Sequence, residues 1–110
     1  MSFKIILTSD FERELKRLNK KYPSLRTDFA LFLDGIQANP AQGSPLGKDC
    51  YKIRLAISSK NQGKSGGVRI LTCVKIVDGV IFLFGVYDKS ELSSLPDKEI
   101  KRRIEKLEDL

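Results

Sequence analysis

Hydrophobic positions in this chain switch between a helical period and a two-residue period, and the switches mark its elements. Phe3 to Thr8 reads as a short apolar strand. Thr8, Ser9 and Asp10 then offer N-cap oxygens to a helix in which Phe11, Leu15, Leu18 and Tyr22 form one stripe, stopped by Pro23. A second helix starts near Ser24, buries Leu25, Phe29, Phe32 or Leu33, and Ile36, and ends before Pro40. Residues 39–50, with two prolines and two glycines, read as a turn-rich connection.

Alternation begins at Tyr51. Tyr51, Ile53, Leu55 and Ile57 point one way, while Lys52, Arg54, Ala56 and Ser58 point the other, which predicts a half-buried strand over 51–58. A loop rich in glycine and lysine follows, holding Lys60 and Lys64, and Val68 to Ile76 forms the next strand. Asp78-Gly79 signals a hairpin into Val80 to Tyr87. From Asp97 the tail reads as a helix with Ile100, Ile104 and Leu107 as its apolar stripe. The pattern predicts one α+β domain over 1–110. Its sheet is expected to be antiparallel, an N-terminal strand plus a three-strand meander, packed on two N-terminal helices and followed by a C-terminal helix.

Composition and charge sharpen the chemistry. Lys and Arg number 20 against 14 Asp and Glu, a net charge of +6, which favours an acidic partner such as nucleic acid. No apolar run reaches the roughly 20 residues that span a bilayer, so the expectation is a cytoplasmic protein without membrane association. Histidine is absent, and Cys50 and Cys73 lack partners at metal spacing, which excludes the usual Cys/His zinc sites and histidine acid–base chemistry. The two cysteines read as small hydrophobes in or near the core. Proton transfer, if there is any, falls to Lys, Arg, Tyr, Asp or Glu.

Around the Tyr51 strand, Lys52, Arg54, Lys60, Lys64 and Arg69 gather with hardly an acid among them. Exposed cations on a strand also serve solvation or edge protection, but Arg69 directly after two glycines has little structural reason to be there. Gly63-Lys64-Ser65 has no glycine at the spacing a P-loop requires, so the loop reads as a phosphate contact of another kind. Arg13, Lys16, Arg17 and Lys20 line the polar side of the first helix, a solvated surface or a contact for RNA.

The stretches GSPLG, CYKIRLAI, GKSGGVRI and YDKSE, in this element order, resemble the RelE/ParE superfamily of toxin–antitoxin toxins, closest to the RelE and HigB-like branch that cuts mRNA. The resemblance implies a small toxin that cleaves mRNA on the ribosome without a metal or other cofactor, and a cognate antitoxin as partner. By position, Lys52 and Arg54 match the cations of the family's catalytic strand, and Arg69 matches the arginine that opens the next strand. Tyr87 and Lys89 fall where the family supplies a further catalytic or substrate-orienting group. The chain departs from the RelE branch in having Tyr87 where an arginine is usual, and no tyrosine in its last helix.

The chemistry suits these residues. The 2′-hydroxyl of RNA attacks the adjacent phosphate, leaving a 2′,3′-cyclic end and a free 5′-hydroxyl, and cations stabilise the phosphorane. Lys52 is the candidate base, Arg54 and Arg69 the phosphate clamp, and Tyr87 the group that orients the nucleotide or relays a proton. Two alternatives remain open from sequence. One is a ParE-like inhibitor of DNA gyrase on the same fold; the other is a catalytically inert nucleic-acid-binding module.

Overall fold

Five strands and three α-helices make up the described part of the computed structural model, residues 2–60 and 67–109. The order is β1 (Lys4–Leu7), α1 (Ser9–Lys21), α2 (Leu25–Ala38), β2 (Ser44–Gly47), β3 (Cys50–Leu55), a 3-10 turn (Ser58–Lys60), β4 (Val68–Lys75), β5 (Val80–Asp88) and α3 (Asp97–Leu107). Thr8 caps α1 as its position suggested, its hydroxyl accepting from the amide of Phe11 at 3.2 Å.

One sheet runs in the order β1-β5-β4-β3-β2. β2, β3, β4 and β5 pair antiparallel, but β1 joins β5 in parallel, with Ile5 beside Ile81 and Leu7 beside Leu83. The sheet is therefore mixed and not the antiparallel one expected from the meander. A hairpin forces its strands to run in opposite directions; β1 reaches β5 through two helices and most of the chain, so no turn dictates its direction. The turn-rich connection also contributes a fifth strand, β2, and β3 ends at Leu55 instead of continuing to residue 58.

Two apolar layers follow from strand alternation. Ile53, Ile70, Val74, Ile81, Leu83 and Val86 face Phe11, Leu18, Leu25, Phe32 and Ile36 of α1 and α2. Cys50, Leu71, Cys73, Phe82 and Phe84 point to the opposite side and meet Ile100 and Leu107 of α3. Each such side chain, fully buried, contributes about 1.5–3 kcal/mol. Lys52 and Arg54 lie on the same face of β3 as Cys50, which belongs to this second layer.

Candidate functional site

Arg54, Arg69 and Tyr87 stand in one row across three strands. Arg54 of β3 lies directly opposite Arg69 of β4, and Arg69 directly opposite Tyr87 of β5. Directly opposed residues of a ladder project from the same face. Lys52, two residues before Arg54, shares that face in the adjoining row with Leu71 and Gly85. Arg54 is exposed and Lys52 half-buried, whereas Arg69 is 5% and Tyr87 4% exposed. Among the described residues no carboxylate pairs with Lys52, Arg54 or Arg69.

The buried arginine is the informative member. Its Nη1 is enclosed and finds no hydrogen-bond partner among the described residues. An unpaired buried donor costs about 1–3 kcal/mol, more when charged, and two like charges directly opposed on a sheet add to the cost. An anion placed between Arg54 and Arg69 relieves both. Gly67 makes the arrangement possible, since a Cβ there would collide with the carbonyl oxygen of Leu55, and the close backbone approach seats β4 against β3 at this end.

Tyr87 owes its place to a bulge. Thr72 pairs with Leu83 and Leu71 with Gly85, which leaves Phe84 as an extra residue on β5. Phe82 and Phe84 both lie on the α3 side, and after the bulge Val86 returns to the other layer. Without it, a strict two-residue period would send Tyr87 into the α1–α2 layer, away from Arg69. A Cβ on Gly85 would come within 2.9 Å of Leu71 Cδ1 and 3.0 Å of Arg103 Nη1, so these two side-chain ends would have to shift.

The bulge lies where β5 has outrun its neighbour β1, and an ion pair closes the vacant edge. Arg103 of α3 donates from Nη1 to the carbonyl of Phe84 at 3.1 Å, while Glu14 of α1 accepts from the amide of Val86 at 3.2 Å. The two side chains pair with each other at 2.9 Å. Sequence periodicity missed this pair: Arg103, 6% exposed, reads as one more cation of a mixed-charge helix.

Asp88 was also missed, although an acid closing the apolar run VIFLFGVYD was a signal. Its carboxylate is buried and accepts from Tyr22, from Lys21 at 3.0 Å, and from the hydroxyl and amide of Ser90 at 2.7 and 2.9 Å. Burial pushes its pKa up, but the hydrogen bonds from Tyr22, Ser90 and Lys21 prevail and hold the group well below the usual carboxylate range. The network ties β5 to α1 one residue beyond Tyr87. Lys89 follows, exposed, its amide bound to the carbonyl of Gly67 at 3.2 Å.

The remaining candidates are dispersed. Lys60 ends the 3-10 turn, and Lys64 lies outside the described residues. That turn is pinned to α2 by Asp28, which accepts from the amide and hydroxyl of Ser58 at 3.0 and 2.6 Å. On α1, Arg13 pairs with Asp10 at 3.1 Å and Arg17 with Glu91 at 2.7 Å, while Lys16 and Lys20 are exposed outside the ion pairs. The α1 cations are therefore partly neutralised and stand apart from the Arg54–Arg69–Tyr87 row. Among the described residues no three His, Cys, Asp or Glu side chains cluster as metal ligands, and no helix is long and apolar enough to cross a membrane.

This architecture, a mixed sheet with two helices on one face and one on the other, is the fold of RelE-type toxins, as the sequence resemblance implied. The structure of an Escherichia coli RelE toxin in the free state, carrying two arginine-to-alanine substitutions, superposes with a TM-score of 0.59 at 23% identity, over 84% of this chain and 90% of that chain. No protein-family profile and no curated protein sequence matches the chain.

Proposed function

We propose that the chain is the toxin of a toxin–antitoxin pair and cleaves messenger RNA on the ribosome through attack of the RNA's own 2′-hydroxyl. The observation that carries this reading is buried Arg69, whose Nη1 has no hydrogen-bond partner among the described residues, set in a row between Arg54 and Tyr87. A phosphodiester offers the negative oxygens that such a row lacks. The fold shared with a RelE toxin supports the same reading.

In this mechanism Arg54 and Arg69 grip the scissile phosphate and stabilise the phosphorane as charge accumulates on it. Lys52, half-buried in the adjoining row, takes the proton of the 2′-hydroxyl. Tyr87 orients the nucleotide or relays a proton to the leaving 5′-oxygen. Lys89, Lys60 and Lys64 contact neighbouring phosphates, with Arg13, Lys16, Arg17 and Lys20 as a second basic surface for ribosomal RNA. The ion pairs of Arg13 and Arg17 are surface pairs worth about 0–1 kcal/mol and exchange readily for phosphate. The row has no histidine or carboxylate base, so turnover depends on the ribosome to place the substrate. An acidic segment of the antitoxin is the expected inhibitor, and the toxin works in the cytoplasm.

Brief induction followed by primer extension tests the proposal. Cuts phased with codons in translated messages, leaving 5′-hydroxyl ends and abolished by Lys52→Ala and Arg69→Ala, are expected. Growth arrest with intact messages and a DNA-damage response would point to gyrase instead, and 5′-phosphate ends would require a hydrolytic mechanism.

A further inference from the structure

Cys50 opens β3 and lies directly opposite Cys73 on β4. The amide of Val74 donates to the carbonyl of Asp49 at 2.9 Å, so that pair is hydrogen-bonded. Hydrogen-bonded and non-hydrogen-bonded pairs alternate along an antiparallel ladder, which places Cys50 and Cys73 at a non-hydrogen-bonded position. Cα atoms at such positions are about 4.5 Å apart, inside the range a disulfide spans. Both thiols also donate to one acceptor, the carbonyl of Lys48, from 3.5 Å for Cys50 and 3.7 Å for Cys73. The two sulfurs thus converge on a single oxygen. Both are free thiols and fully buried in the layer beneath Ile100 and Leu107 of α3.

We propose that Cys50 and Cys73 are an oxidative modification site, which hydrogen peroxide converts into an intramolecular disulfide joining β3 to β4. The chemistry balances in two steps. One sulfur, as its thiolate, attacks a peroxide oxygen; the O–O bond breaks, a sulfenic acid forms, and the departing hydroxide takes up the proton that the thiol released. The second thiol then attacks the sulfenic sulfur, the S–O bond breaks, and water leaves as the S–S bond forms. Two thiols have lost two hydrogens, and one peroxide has become two waters.

Either sulfur can attack, since both lie at one ladder position and on one acceptor. Both sulfurs lie in the buried cluster that includes Ile100 and Leu107 of α3, so peroxide reaches them only when that layer opens. The cross-link would fasten together the two strands that carry Lys52, Arg54 and Arg69.

Treating the folded full-length protein with hydrogen peroxide, then alkylating and mapping its peptides by mass, tests the site. The expected product is a monomer that has lost two hydrogens, with the Cys50 and Cys73 peptides cross-linked and released by dithiothreitol. In Cys50→Ala, Cys73 should instead hold a sulfenic acid that dimedone traps. Sulfinic acid on either sulfur without the cross-link, disulfide-linked dimers, unmodified thiols, or a cross-link that appears only in denaturant would each overturn the proposal. The wild-type map decides the question even if Cys50→Ala does not fold.

Discussion

Arg69 and Tyr87 face each other across β4 and β5 because Phe84, three residues upstream, has no partner in the ladder. The extra residue reverses the phase of β5, so that its last turn of alternation carries a phenol to the arginine side. The geometry of this row is a matter of register before it is a matter of side-chain identity.

Arg69→Met should separate function from stability. Removing a buried guanidinium whose Nη1 lacks a partner among the described residues costs the fold little, and an apolar replacement of similar length is expected to leave stability within about 1 kcal/mol of wild type or above it. Cleavage of ribosome-bound mRNA should fall by about two orders of magnitude or more. Thermal melts and a reconstituted cleavage assay on the same preparation measure both. A variant that is both inactive and strongly destabilised would show that Arg69 is paired in the fold.

Glu14 and Arg103 should behave as a unit. Arg103→Met leaves Glu14 and the Phe84 carbonyl without their shared donor, and breaking such a buried pair costs about 3–5 kcal/mol. The double variant Glu14→Leu/Arg103→Met is expected to cost less than the sum of the two single changes. A double-mutant cycle from urea unfolding gives the coupling, and additive effects would argue against the pair.

Gly67→Ala is expected to cost more than the roughly 1 kcal/mol by which a tolerated glycine-to-alanine change usually moves stability. The new Cβ meets backbone, the Leu55 carbonyl, which cannot swing away as a side-chain tip could. β4 must separate from β3 near Arg54 and Arg69. Unfolding midpoints and cleavage rate should fall together here, in contrast to Arg69→Met.

Stability should be flat at neutral pH and fall in acid. Asp88 is held well below the ordinary carboxylate range, and Glu99, hydrogen-bonded by Arg102 and Arg103, is held down to about 2. Groups with depressed folded values contribute fully above their unfolded values of about 4 and lose that contribution as pH falls through the folded ones. The midpoint of thermal unfolding is therefore expected to hold above about pH 5 and to drop below about pH 4. Asp88→Asn should be less stable at neutral pH and less sensitive to acid. Equal acid slopes for the variant and wild type would remove Asp88 from this account.

Much of the fold was legible because hydrophobic period and caps are local properties. Thr8, the Phe11–Leu18 stripe and the Asp78-Gly79 hairpin each announce an element within a few residues. The direction of β1 was not legible, since it depends on a pairing with β5 some seventy-five positions away along the chain. Lys52, Arg54 and Arg69 could be chosen from charge and alternation, but the burial of Arg69 and the exposure of Arg54 depend on what covers each strand. The apolar run from Val80 to Tyr87 contains no mark of a bulge at Phe84, because phenylalanine suits either face. Glu14 and Arg103 look like ordinary surface charges until α1 and α3 bring them to the same strand edge.

The Phe84 bulge also has a consequence for anyone who recombines this protein. The phase of β5 is maintained by three parts of the chain, one in α1, one in the strand itself and one in α3. A chimera that imports β5 without Glu14 and Arg103 would inherit every residue of the site and still present Tyr87 to the wrong layer. The heritable unit of this site is a non-contiguous triplet, and swaps should be drawn along that boundary instead of at strand ends.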